Sequence, residues 1–493
     1  MTFPAANALY RRETYDNYPG ARAILQVVYE GLQLPFDRAL TVESRWFAKI
    51  LRTPEAAAMI RSLFVSMQEL NKGARRPAGI APSQIKKVGI IGAGFMGAGI
   101  ASVSAQAGLD VVLIDRDQES ADKGKAHVHK SLTDQVNKGR ATAAQRDSVL
   151  ARIAPTADYG ALAGCDLVVE AVFEDRKIKA EATTKAQAVV PDIVFASNTS
   201  TLPITSLAET AKDAGKFIGI HFFSPVERMM LVEVILGKKT SDATLAFALD
   251  YVRAIKKTPI VVNDTRGFYA NRCVLNYLQE GHLMLMEGVP PAMIENVARM
   301  AGMPVGPLSL NDEVALDLGW KILKATEADL GPKAVNPLQK KLLQELVEKR
   351  GRFGRKNGKG FYDYPQSGPK RLWPGLADLQ PKKLDPDKIN IEELKARFLV
   401  TQALEAARTF EEGVVTDVRE ADVGSILGFG FAPFSGGTLS YIDMMGTKRF
   451  VALCKELEKR HGARFKPSQL LLDLAAKDDS FYRRFPPGKR KAA

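Results

Sequence analysis

Residues 87–98 read Lys-Val-Gly-Ile-Ile-Gly-Ala-Gly-Phe-Met-Gly-Ala. The short apolar run Val88–Ile91 predicts a strand, and the glycines at 92, 94 and 97 fit G-x-G-x-x-G. Small and apolar residues from Ala98 to Gln106 predict a helix directly afterwards. Strand, glycine turn and helix in this order form a phosphate-binding corner. Gly92 permits the tight turn, Gly94 lets the backbone approach a pyrophosphate, and Gly97 lets helix and strand pack closely. The helix N-terminus offers free N–H groups and partial positive charge to that pyrophosphate. Asp115 ends the next apolar run, DVVLI at 110–114, 23 residues after Gly92. A carboxylate there accepts hydrogen bonds from the adenosine ribose hydroxyls and repels a 2′-phosphate, which favours NAD over NADP. Arg116 beside it argues the other way. The alternative is a glycine turn in an α/β domain that binds nothing.

Further strand-like runs follow at 166–173, 193–196, 217–220, 231–236 and 259–262, most of them separated by helix-length segments. Strands alternating with helices predict a parallel sheet covered on both faces. This α/β Rossmann-type domain spans 83–265. Before it, residues 1–82 predict a helical linker segment. Thr53-Pro54-Glu55 is a helix start, with a hydroxyl cap, proline at the first position and an acid in the first turn. Met59, Ile60, Leu63, Phe64 and Met67 then recur at helical spacing, and 73–85 carries two glycines and two prolines.

After 265 the strand signal fades, and an internal repeat takes its place. Arg272, Glu280, Glu287, Gly288 and Val289 recur 125 positions later as Arg397, Glu405, Glu412, Gly413 and Val414. Gly302, Pro307 and Asp317 recur at 126 as Gly428, Pro433 and Asp443. The expectation is two all-α domains of one kind, 266–365 and 390–482, with a linker at 366–389 and a basic tail at 483–493.

Composition narrows the classes. The chain has 493 residues, enough for two to four domains at about 100–200 residues each. Apolar residues at 46% argue against disorder, and no apolar run reaches the length a bilayer span needs. The first residues lack the charge-then-apolar order of a secretory signal. Three scattered cysteines form neither a disulfide framework nor a metal-ligand spacing. The net charge of +13 has no nucleic-acid motif beside it; its dense cluster, Arg483, Arg484, Lys489, Arg490 and Lys491, reads as a solvated tail. A polyanionic small molecule is a third use of that charge, and the motifs favour it. A cytoplasmic location is expected, with no nucleic acid and no membrane span.

A redox site on a dinucleotide needs a base nearby. His221 follows the strand FIGI, at a strand end where open α/β sheets place ligands. An imidazole, with an ordinary pKa of about 6.5, suits that work. Glu233 lies twelve residues on, inside the apolar run LVEVIL, where an unpaired carboxylate is costly. A His–Glu pair resolves that cost. Taken singly, His221 also reads as a satisfied core histidine and Glu233 as the exposed face of an edge strand. Ser197-Asn198-Thr199-Ser200 follows the strand IVFA, as a site or as a turn. Asn271 lies where the helical region begins, and its repeat position is Ala396, so the amide belongs to the first copy alone.

These segments together resemble the L-3-hydroxyacyl-CoA dehydrogenases, in particular the dehydrogenase half of the bacterial multifunctional fatty-acid oxidation α-subunit. GAGFMGAGIA, VVEAVFED, ASNTSTLPI, HFFSPVERMMLVEVI, DTRGFYANR and GRKNGKGFYDY carry the likeness, in the family's order and over essentially the whole chain. The resemblance implies a Rossmann domain followed by two helical domains, the second making within one chain the contact that single-copy relatives make by dimerising. It implies NAD as cofactor and an acyl-CoA substrate. His221 would be the general base and Glu233 its partner. Ser200 would hold the substrate oxygen, and Asn271 would sit at the reacting end. Met96, Asp115, Glu174 and Lys179 would line the cofactor site with Gly92, Gly94, Gly97, Asn198 and Ser224. The family pattern has Asn where this chain has Ser224, which has shorter reach and fewer donors; rate or nicotinamide geometry is what that change touches.

The implied activity is oxidation of (S)-3-hydroxyacyl-CoA to 3-oxoacyl-CoA in β-oxidation, with a partner such as thiolase and without hydratase activity, since residues 1–72 are too few for a hydratase fold. Those helices are expected to expose Phe36, Trp46, Phe47 and Leu51 unless something covers them. The rival readings are a non-catalytic acyl-CoA-binding or scaffold subunit, and a dehydrogenase of another 3-hydroxyacyl-CoA intermediate.

Overall fold

A computed structural model describes residues 2–488; Lys489, Arg490 and Lys491 of the basic tail lie outside the described residues. Contacts divide the chain into two units. One holds Ser62–Asn271 with Thr409–Phe429; the other holds the N-terminal stretch up to Arg61, Arg272–Arg408 and Gly430–Arg484.

The first unit is built on an eight-stranded sheet among the described residues, in the order β3-β2-β1-β4-β5-β6-β7-β8. The strands are β1 Lys87–Ile91, β2 Asp110–Ile114, β3 Ile153–Thr156, β4 Leu167–Glu170, β5 Val194–Ser197, β6 Phe217–Phe222, β7 Leu231–Leu236 and β8 Thr258–Asn263. β1 to β6 pair in parallel. β7 runs antiparallel to β6, and β8 parallel to β7. A wholly parallel sheet is therefore corrected at this edge. The connection between β6 and β7, residues 223–230, is too short for a parallel crossover, which needs about a dozen residues. β3 carries no sequence signal because it is four residues long and contains Pro155. The run expected to continue as strand to 173 stops at Glu170, where β4 leaves β1 at the last register pair, Ile91 with Glu170.

The helix Phe95–Gln106 is buried without a break from Gly97 to Ala105. A Cβ on Gly99 would lie 2.8 Å from the Val226 side chain, so the loop after β6 rests on this helix. The outer edge of β8 is covered by the segment 413–420. Asn263 N–H donates to the Val414 carbonyl (2.8 Å), Asn263 Nδ2 to the Gly413 carbonyl (2.7 Å) and Val261 N–H to Glu420 Oε1 (2.7 Å). A paired edge cannot recruit a foreign strand.

The second unit is helical apart from a two-stranded antiparallel ribbon, Tyr362–Asp363 against Arg371–Leu372, which corrects the all-α expectation at the end of 266–365. Its N-terminal stretch forms the helices Thr2–Thr14, Pro19–Gly31, Phe36–Leu51 and Pro54–Met59, the last capped by Thr53 Oγ1 accepting from Ala56 N–H. The chain then enters wide π-type turns at Ile60–Ser66, which shift the helical register. Ala58, Ser62, Ser66 and Leu70 are buried while Ile60 and Phe64 are exposed, so the apolar spacing seen in the sequence is not the buried face. Phe36, Phe47 and Leu51 are exposed as expected; Trp46 is half-buried, with the Lys49 ammonium 4.4 Å from its ring centroid.

Two arrangements recur in this unit. Asp312 accepts from Phe361 and Tyr362 N–H (both 2.8 Å), and Asp443 accepts from Phe481 and Tyr482 N–H (2.8 and 3.1 Å). Each carboxylate lies in a helix ended by a residue with a positive φ, Ala315 at 85° and Gly446 at 87°. The ion pairs are reciprocal: Arg272 Nε donates to Glu405 (2.8 Å) and Arg397 Nε to Glu280 (2.6 Å). No helix among the described residues is long and apolar enough to cross a membrane.

Candidate active site

The glycine turn has the geometry its residues allow. Gly92 has φ +99°, and a Cβ there would meet the Ala171 carbonyl at 2.6 Å. A Cβ on Gly97 would fall 1.7 Å from the Gly92 carbonyl oxygen, so only glycine lets the helix come this close. Nothing lies within 4 Å of a Cβ built on Gly94, and no side chain caps the helix that starts there. An open backbone approach and an uncapped helix start are what a pyrophosphate requires. Asp115 is fixed by accepting from Ala93 N–H and Arg116 N–H, both at 2.7 Å. The Arg116 guanidinium turns to Asp117 (3.1 Å). Met96 is half-buried against the sheet core. These residues fit a dinucleotide.

The antiparallel hairpin brings His221 and Glu233 directly opposite each other in the β6–β7 register. His221 Nδ1 lies 2.7 Å from Glu233 Oε2, and both residues are buried, at 6% and 0% exposure. A carboxylate only accepts, so Nδ1 carries the proton and Nε2 keeps its lone pair. Phe223 and Phe268 flank the imidazole, with ring centroids 4.6 and 6.0 Å away. Glu233 Oε1 accepts from Tyr269 and Ala270 N–H (3.2 and 2.9 Å) at the start of the helix Ala270–Glu287. The buried carboxylate is thus hydrogen-bonded through both oxygens and set against a helix N-terminus.

Asn271 is on that helix, and its Nδ2 donates to the Ser200 carbonyl (2.8 Å). Ser200 N–H and Oγ both donate to Glu174 Oε1 (2.9 and 3.2 Å), which also takes Thr199 Oγ1, Thr201 N–H and Thr201 Oγ1. Burial alone would raise the Glu174 pKa; the Lys179 ammonium and these donors outweigh it and hold the group below its ordinary value. Asn198 Oδ1 accepts from Phe222 N–H (2.8 Å), tying the end of β5 to the strand that bears His221. Ser224 lies exposed two residues beyond β6.

One residue escaped the sequence reading. Glu170, 1% exposed at the end of β4, bonds Lys179 Nζ (2.9 Å) and Ser197 Oγ (2.7 Å). Its signal was present: an acid inside the apolar run DLVVEAVF at 166–173, the same anomaly that marks Glu233.

Two family profiles match the chain, that of the 3-hydroxyacyl-CoA dehydrogenase NAD binding domain over residues 87–265 and that of the 3-hydroxyacyl-CoA dehydrogenase C-terminal domain over 267–364. The fatty acid oxidation complex subunit alpha of Shewanella amazonensis is 36% identical over 98% of this chain and 68% of its own length. That of Vibrio cholerae is 36% identical over 98% and 67%. Among solved structures, 3-hydroxybutyryl-CoA dehydrogenase from Escherichia coli K12 superposes with a TM-score of 0.68 at 25% identity, covering 80% of this chain and 99% of that one. (S)-3-hydroxybutyryl-CoA dehydrogenase from Ralstonia eutropha gives 0.54 at 36%, covering 57% and 100%. The chain belongs to the 3-hydroxyacyl-CoA dehydrogenase family and is an NAD-dependent oxidoreductase of fatty-acid oxidation.

Proposed function

We propose that the chain oxidises (S)-3-hydroxyacyl-CoA to 3-oxoacyl-CoA with His221 as general base. The observation that carries this reading is the buried, register-paired contact between His221 Nδ1 and Glu233 Oε2. With Nδ1–H held by the carboxylate, Nε2 is the nitrogen that takes the substrate hydroxyl proton. Glu233 then stabilises the imidazolium without accepting its proton. Ser200 orients the hydroxyl, and Asn271 holds the Ser200 turn at the reacting end of the substrate. Gly92, Gly94, Met96, Gly97, Asp115, Glu174, Lys179, Asn198 and Ser224 would hold the cofactor. Bound NAD supplies the acceptor for the hydrogen lost from C3 with its electron pair.

His221→Gln keeps the ring's approximate volume and removes the base. Turnover of 3-hydroxybutyryl-CoA, followed by reduced-nicotinamide absorbance, is expected to fall at least about 10²-fold while the Kd for NAD stays unchanged. Normal turnover in that variant would overturn the assignment.

The helical region reads as two copies of one domain, 266–365 and 390–482. The reciprocal pairs Arg272–Glu405 and Arg397–Glu280 support it, since exchange of i–j for j–i is the mark of a twofold interface. So do the matching carboxylates of Asp312 and Asp443, each holding a Phe-Tyr backbone pair. Their spacing is 131, so Asp443 corresponds to Asp312 rather than to Asp317. The intact molecule is assigned to the cytoplasm, with thiolase as the partner that would consume its product.

A further inference from the structure

We infer that Glu170 is a positioning residue of the dinucleotide site and acts through Lys179; this rests on the reading above, in which Glu174 and Lys179 face the cofactor. Glu170 closes β4 in the middle of the sheet, between β1 and β5. A carboxylate this buried is costly unless both oxygens are occupied. Oε1 accepts from Val172 N–H (2.7 Å) and Lys179 Nζ (2.9 Å), and Oε2 accepts from Ser197 Oγ (2.7 Å) and Lys179 Nζ (3.2 Å). Lys179 is itself 2% exposed, and its only other carboxylate among the described ion pairs is Glu174, at 3.4 Å.

Two carboxylates therefore share one ammonium, and the shorter contacts go to Glu170. The division matters because Glu174 Oε1 is the acceptor that gathers the turn 199–201, including the Ser200 hydroxyl. While Glu170 holds Lys179, Glu174 stays with that turn and can accept from a ligand's hydroxyls. Without the Glu170 charge, Lys179 has Glu174 as its one anion. It closes on that carboxylate and draws it from the turn. Glu170 touches neither reacting atom nor ligand; it sets the position of the lysine between two acids.

A merely structural role would lower the melting temperature and leave ligand affinity alone. The test is the Kd for NAD, by fluorescence titration, in wild type, Glu170→Gln, Lys179→Met and the double variant. Glu170→Gln is expected to raise the Kd about tenfold, the loss of one charge-assisted contact. In the Lys179→Met background the same change is expected to shift it less than about twofold, because the residue through which Glu170 acts is gone. An unchanged Kd in folded Glu170→Gln, or an equal effect in both backgrounds, would overturn the inference. If Glu170→Gln does not fold, the double variant removes both charges together, and its Kd against Lys179→Met decides: equality supports the inference and a further tenfold loss refutes it. Failure of the underlying reading looks different, since wild type would then not bind NAD or His221→Gln would keep its activity.

Discussion

At Glu233 one carboxylate serves two partners: Oε2 holds the His221 ring and Oε1 holds the N–H groups that open the helix bearing Asn271. Glutamine there keeps a single accepting oxygen, so it satisfies one partner and leaves the other wanting. Glu233→Gln is expected to lower kcat about 10²-fold, with NAD affinity kept and a lower melting temperature, read by initial rates and a thermal melt. Unaltered kcat would mean that the ring is held by its aromatic neighbours, Phe223 and Phe268. Glu233 was visible in the sequence because it interrupts an apolar run from the middle. Glu170 interrupts the run DLVVEAVF in the same way, but the strand ends on it, so its partners are Val172 and Lys179 beyond the strand and Ser197 at the end of the neighbouring one.

At the scale of elements, much of the sheet could be read from apolar runs, and the glycine turn from spacing. Strand direction could not. Periodicity is blind to it, and what reverses β7 is the shortness of the connection at 223–230. The same hairpin fixes the register that pairs 221 with 233, so the site's central contact was legible as two residue types and not as a contact. The recurrence of residues at 125 positions was legible too, and the acids and arginines it marks meet in two ion pairs, Arg272–Glu405 and Arg397–Glu280. The two pairs differ in burial. Arg397 is 2% exposed, and its side chain also reaches Glu287 at 2.7 Å; the Arg272 and Glu405 side chains keep 19% and 11%. Removing one partner of a buried pair strands the other charge at a cost of about 3–5 kcal/mol. Arg397→Met is expected to destabilise by about that amount and Arg272→Met by distinctly less, measured by urea unfolding. Equal losses would show that burial does not set the strength of these pairs.

For the whole molecule, two buried groups give stability opposite slopes with pH. Glu420, packed among Arg75, Asp417 and Arg419, is pushed up by burial to about 7. A carboxyl raised above its unfolded value binds more protons when folded, so its contribution falls as pH rises from about 4.5 to about 7. His282, buried between Asn311 and Gln339, is pushed down to about 4, so its contribution falls as pH drops from about 6.5 to about 4. Glu420→Gln is therefore expected to gain in melting temperature relative to wild type between pH 5 and pH 8. A constant difference across that range, by scanning fluorimetry, would refute it. Glu420 also ties distant parts of the chain together: the last strand takes the partners of its outer edge from residues 150 positions or more further along. A chain cut short of 413 would bare an adhesive rim and glue itself to its own copies.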